Sequence, residues 1–127
     1  MTIRDNILFG LPLNEERYVR TILSCCLERD LEIFPMGDMT EIGERGVNLS
    51  GGQKARISLA RAVYADRDII LMDDPISALD ANVRKKIFKR VFCDMLQGKT
   101  RVLCTHAIDF LHLADKIIVV KKGEIAI

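Results

Sequence analysis

Two hydrophobic periods divide the chain. In the first half, apolar positions return every three or four residues. Val19, Ile22, Leu23, Cys26 and Leu27 follow Asn14, a good N-cap, and predict an amphipathic helix over about 14–27 with those five residues on its buried side. A shorter helix near 28–34 is expected to stop before Pro35, and the glycines and charges of 35–46 predict a loop. A third helix is expected from Ser50 to about Tyr64, with Ile57, Leu59, Ala60 and Val63 making its apolar contacts.

In the second half the pattern changes. Asp68-Ile69-Ile70-Leu71-Met72-Asp73 is a short continuous apolar run ended by acids, which predicts a parallel strand buried on both faces. Asp80 caps a helix expected to reach about Leu96, in which Val83, Ile87, Val91 and Met95 step by four along one face. Arg101 to Thr105 reads as a second apolar strand, 108–114 as a short helix, and Ile117 to Val120 as a strand. Lys121-Lys122-Gly123-Glu124 turns that strand into a hairpin ending at Ile127. Strands alternating with helices argue an α/β layer. The expected organisation is a helical subdomain over 1–65 and a partial α/β core with a mainly parallel sheet over 66–127.

Composition narrows the function without naming it. Nineteen Lys+Arg against eighteen Asp+Glu leave a formal charge of +1, so no basic field exists of the kind that attracts nucleic acid, and nucleic acid is not an expected partner. With 127 residues, 49% hydrophobic and 29% charged, the chain suits one globular core. No apolar run reaches the roughly 18 residues of a membrane span. The four cysteines, two of them adjacent, fit neither a disulfide framework nor paired zinc ligands, so reduced thiols are expected.

Three places could carry chemistry. Leu49-Ser50-Gly51-Gly52-Gln53 opens a helix, where a hydroxyl, glycine amides and the positive helix end could receive an anion; the same residues could equally be a plain serine cap with a flexible entry. The strand ending at Asp73 delivers a carboxylate to the edge where open α/β sheets bind ligands, and Asp73 there suits a water-bridged Mg²⁺, although two acids in a row could simply solvate the strand exit. His106 follows the second strand and becomes a candidate phosphate contact beside those acids.

Taken in order, LSGGQ, the apolar strand into Asp73-Asp74-Pro75, Ser77-Ala78-Leu79-Asp80 and Cys104-Thr105-His106 closely resemble the ATP-binding cassette ATPases. On that resemblance Leu49 to Gln53 match the signature motif, Ile69 to Asp73 the Walker B strand, Ser77 to Asp80 the D-loop and His106 the switch histidine. Thr2 to Gly10 resemble the segment after the Q-loop of exporters, and Thr40 to Gly46 the exporter loop that faces the transmembrane domains. The overall likeness is to the first nucleotide-binding domain of multidrug-resistance-associated exporters of the C subfamily.

The resemblance implies a P-loop NTPase-like fold, ATP and Mg²⁺ as cofactors, a second nucleotide-binding domain packed head to tail, and transmembrane domains as partners. This domain is then expected on the cytoplasmic side of a membrane. Ser50, Gly51, Gly52, Gln53 and Asp80 become nucleotide-binding residues, Asp73 the metal ligand, and Asp74 and His106 the catalytic pair.

Two departures stand out. A P-loop needs G-x-x-x-x-G-K-[S/T] after a strand; Gly98-Lys99-Thr100 supplies only the tail, since Cys93 stands where the first glycine belongs and a helix precedes it. The chain is therefore expected to be a fragment of a cassette, inactive alone and prone to self-association. Asp74 stands where the family usually has a glutamate, one methylene longer, so hydrolysis at this domain's own site is expected to be weak. The readings left open are an exporter ATPase, a nucleotide-gated channel or regulatory module with little hydrolysis, and a soluble cassette protein of translation or repair.

Overall fold

A computed structural model describes residues 1–126. Its first element, α1 (Ile3–Leu8), is absent from the periodicity reading because six residues are too few to show a period. A capping box makes it: Thr2 Oγ1 accepts from the Asp5 amide at 3.0 Å and Asp5 Oδ2 accepts from the Thr2 amide at 3.3 Å. Next come α2 (Glu15–Ser24), capped by Asn14 as expected, α3 (Glu28–Ile33), a 3₁₀ turn (Gly37–Met39) and α4 (Gly51–Tyr64). The loop between them closes at Gly46, where a Cβ would lie 2.3 Å from the Glu41 carbonyl oxygen, so no larger residue fits without moving the backbone.

The buried side of α2 corrects the expectation. Tyr18, Thr21, Ile22 and Cys25 face the core, while Val19 and Leu23 are 52% and 48% exposed. Tyr18 shifts the stripe by one position. Its ring meets Tyr64 edge-on with centroids 6.1 Å apart, and its hydroxyl donates to Asp38 Oδ2 at 2.9 Å, so an aromatic with a satisfied polar tip takes the place expected for Val19.

β1 (Ile69–Asp73) and β2 (Thr100–Cys104) pair in parallel, with Ile69 opposite Thr100 and Asp73 opposite Cys104. β1 was expected to be buried on both faces; instead it alternates, with Ile70 and Met72 in the core and Ile69 and Leu71 64% and 75% exposed. The described residues cover only one face of this two-stranded sheet.

The helix opening at Asp80 is α-helical over α5 (Ala81–Ile87) and then widens to a π-helix over Phe88–Met95 rather than continuing as α. A strict step of four drifts around an α-helix of 3.6 residues per turn, whereas wider i→i+5 turns return Val91 and Leu96 to the core beside Ile87. Residues 108–114 are likewise 3₁₀ rather than α, over Ile108–Leu113. The final strand begins at Val119, not Ile117: β3 (Val119–Lys121) pairs antiparallel with β4 (Glu124–Ala126) as a separate hairpin. Ile127, expected to end that hairpin, lies outside the described residues.

One hydrophobic core runs from Ile3 and Ile7 through Ile57, Ala60 and Tyr64 to Ile70, Ile76, Ile87 and Leu96. α4 is its axis, packing on α1 and α2. Arg61 fixes α1 by donating from Nε to the Asn6 carbonyl at 2.7 Å and from Nη2 to Asn6 Oδ1 at 3.0 Å. Tyr64 fixes the entry of α2: its hydroxyl donates to the Pro12 carbonyl at 2.5 Å and accepts from the Asn14 amide at 2.8 Å.

Candidate functional site

α4 begins where Ser50 leaves extended backbone, at φ −66° and ψ 163°. Ser50 Oγ accepts from the Gln53 amide at 3.2 Å, and Gln53 Oε1 accepts from the Ser50 amide at 2.9 Å. This reciprocal cap satisfies two donors of the helix end and leaves the amides of Gly51 and Gly52, which sit in its first turn, for an outside acceptor. The Ser50 hydroxyl uses a lone pair in the cap and keeps its proton to donate elsewhere. Neither glycine carries a side chain in front of its amide. A phosphate oxygen fits that donor set, with the helix dipole adding about 0.3–1 kcal/mol.

The same helix end faces the loop after β1. A Cβ at Gly52 would lie 3.4 Å from the Ala78 carbonyl oxygen and 3.6 Å from Leu79 Cδ2, so the glycine lets the two segments approach. Between them lies an open cleft of about 460 Å³, lined by Ser50, Gly51 and Gly52 on one side and Ala78, Leu79 and Asp80 on the other. Asp80 is also the N-cap of α5, its Oδ1 accepting from the Val83 amide at 2.9 Å. The structure thus brings Ser50, Gly51, Gly52 and Asp80 to one cleft.

Gln53 is placed differently. Its side-chain amide is engaged at both ends, Oε1 with the Ser50 amide and Nε2 with Asp30 Oδ1 at 3.0 Å.

Asp73 and Asp74 end one strand of the parallel pair and His106 follows the end of the other, so all three lie at its carboxyl edge, away from that cleft. Register puts Asp73 beside Cys104, and the Asp74 amide donates to the Cys104 carbonyl at 2.8 Å, extending the ladder one residue past β1. Asp74 then turns with φ +47°, a left-handed conformation that aspartate tolerates better than most residues. Asp73 and His106 are exposed and Asp74 is half-buried. The Ala107 amide donates to Thr105 Oγ1 at 3.0 Å, turning the chain immediately after His106. A single exposed carboxylate at a strand end fits a divalent cation that keeps most of its water and takes further oxygens from a bound phosphate, which is how Mg²⁺ is commonly held.

Sequence reasoning passed over Asp30 and Arg56. Arg56 follows Gln53 by three residues, one turn along α4, and that spacing from a capping glutamine is the unused signal by which it could have been found. Its Nη1 donates to Asp30 Oδ2, closing an ion pair in which each side chain is 14% exposed.

The ABC transporter family model matches residues 1–77. The chain is 56% identical over 126 residues to the rat protein ATP-binding cassette sub-family C member 2, 55% identical over 127 residues to the human protein ATP-binding cassette sub-family C member 3, and 53% identical over 125 residues to ABC transporter C family member 3 of Dictyostelium discoideum. Each alignment takes in 98% of this chain but only 8%, 8% and 9% of the respective relative, so the chain spans less than a tenth of the length of these proteins.

Proposed function

The chain belongs to the ABC transporter family, and on that premise we propose that it is the signature-bearing part of a nucleotide-binding domain that couples ATP binding and hydrolysis to transport. The observation that supports this best is the paired opening of Ser50-Gly51-Gly52 and Ala78-Leu79-Asp80 onto one cleft, at a helix end with free amides. Its full setting would be an exporter of the C subfamily, with this domain as the first cassette on the cytoplasmic side of the membrane. A second cassette would pack head to tail and the transmembrane domains would sit against the helical half.

In that setting one chain serves two nucleotides. Ser50 Oγ and the Gly51 and Gly52 amides donate to γ-phosphate oxygens of ATP held by the second cassette, and the N-terminal end of α4 adds its positive potential where charge develops. MgATP supplies the phosphoryl group that water attacks. In this domain's own site, Asp73 would hold Mg²⁺, which would neutralise charge on the phosphates, His106 would donate to a phosphate oxygen, and Asp74 would accept the proton of the attacking water. Asp80 orders the cleft by capping α5 and setting the loop that faces Gly52.

By itself the chain would be inactive, since the sequence holds no G-x-x-x-x-G-K-[S/T] loop to cradle the phosphates. Asp74 also supports a second reading, a nucleotide-gated channel or regulatory module in which ATP closes the two cassettes and is hydrolysed slowly, because its carboxylate reaches one methylene less far than glutamate.

Steady-state turnover of a full transporter containing this chain tests the proposal. Ser50→Arg places a bulky side chain across the free amides and is expected to lower kcat by about a hundredfold, in the range lost when one preorganised donor to a transition state is removed. Turnover unchanged by Ser50→Arg would refute the assignment.

A further inference from the structure

Asp30, on α3, belongs to none of the motifs above, yet its carboxylate meets the signature helix at two residues. Oδ1 accepts from Gln53 Nε2 at 3.0 Å and from Arg56 Nη2 at 3.3 Å, while Oδ2 accepts from Arg56 Nη1. Arg56 also donates from Nη1 to the Cys26 carbonyl at 2.6 Å and from Nε to the Gly52 carbonyl at 3.2 Å. An unbroken run of hydrogen bonds therefore leads from the Cys26 carbonyl through Arg56, Asp30 and Gln53 to the Ser50 amide.

The chemistry of the pair sets a direction. An ionised carboxylate only accepts, so Asp30 can meet the NH₂ end of Gln53 but not its oxygen. Turning the Gln53 amide over would set Oε1 against the carboxylate and point donors at the Ser50 amide, breaking the bonds at both ends of that side chain and leaving of the cap only the Gln53 amide on Ser50 Oγ. Arg56 holds the carboxylate in place by a two-pronged contact, and the low exposure of both side chains keeps water from substituting for it.

We propose that Asp30 is a positioning residue for the signature motif: it fixes the orientation of Gln53, and through Gln53 the backbone of Ser50, so that the Ser50 hydroxyl and the Gly51 and Gly52 amides face the nucleotide together. Gln53 then acts through Ser50 and not by touching nucleotide. The inference rests on the reading that Ser50, Gly51 and Gly52 receive phosphate.

The test is ATPase kinetics of a full transporter containing this chain, with the thermal unfolding midpoint measured alongside. Asp30→Ala should lower kcat about tenfold, the scale of one charge-assisted hydrogen bond, with KM for MgATP within about twofold of wild type. Gln53→Ala should do the same. The double variant should be no worse than the more impaired single one, because both act through the same bonds. If Asp30→Ala does not fold, Asp30→Asn, which keeps the shape and one acceptor oxygen, should lower kcat several-fold in protein whose midpoint, though lowered by the unpaired Arg56, stays above the assay temperature.

A kcat within twofold of wild type in a folded Asp30 variant, or losses that multiply in the double variant, overturns the inference. Ser50→Arg in the same preparation separates the two claims. If it abolishes turnover while Asp30 variants behave as wild type, only the role of Asp30 falls; if it leaves turnover intact, the assignment of the signature falls and this inference with it.

Discussion

At the residue scale, the sharpest contrast is between Ser50 and Asp74. Ser50 matches its motif, and the structure shows the physical content of the match, a hydroxyl that caps its helix and still has a proton to give. Asp74 departs from the usual glutamate, and the departure sits on a strained backbone, with φ +47° and its amide tied to Cys104. The strain and the short side chain belong together in one respect: aspartate accepts left-handed backbone more readily than glutamate. Asp74→Glu should therefore lower stability slightly, by up to about 1 kcal/mol from the backbone. It should also raise single-turnover hydrolysis at this domain's own site by about tenfold, or about 1.4 kcal/mol of barrier. The measurement uses a full transporter whose other site is disabled, and unchanged rates would mean that a feature other than reach limits the site.

At the element scale, α4 ties the signature end to the core. Its far end is fixed by Tyr64, fully buried, whose hydroxyl holds both the Pro12 carbonyl and the Asn14 cap of α2, while Arg17 lies over the ring 4.6 Å from its centroid. Tyr64→Phe keeps the packing and leaves those two backbone groups without a partner, which should cost about 1–3 kcal/mol. It should appear as a lower urea midpoint at an unchanged slope.

Much of this element layout was legible. Asn14, Ser50 and Asp80 each cap the helix expected of them, because a short polar side chain before an apolar run has one common use. Less legible were features set by partners distant in sequence. Tyr18 rotates α2 because Tyr64 and Asp38 offer it better company than Val19 would find. The π turns after Ile87 follow from packing that no local propensity records, and the Asp30–Arg56–Gln53 contact joins residues up to 26 positions apart.

At the scale of the whole molecule, apolar surface remains open. Ile69 and Leu71 on the uncovered face of β1, Val102 beside them on β2, and Val119, Val120 and Ile125 on the hairpin are all exposed. Contiguous apolar surface and unpaired strand edges both drive association. The 127-residue chain alone should form dimers or larger species in light scattering at high concentration, and a strictly monomeric chain would show that this surface is covered in another way.

The motifs were readable because each is a local pattern, and the resemblance already implied that they serve two sites; the cleft that sets Ser50 opposite Ala78 and Asp80 was not readable, since it depends on how α4 packs against the loop after β1. Ser50, Gly51, Gly52 and Asp80 share one cleft, while Asp73, Asp74 and His106 lie at the sheet edge; under the proposed function the signature residues complete a neighbour's site and the edge residues belong to this domain's own. Nucleotide photolabelling under trapping conditions, resolved for each cassette of a full transporter carrying Ser50→Arg, tests that division most directly. The expected result is loss of trapping at the second cassette, whose nucleotide this signature would contact, with ATP labelling of this domain's own site preserved; equal loss in both cassettes would contradict it.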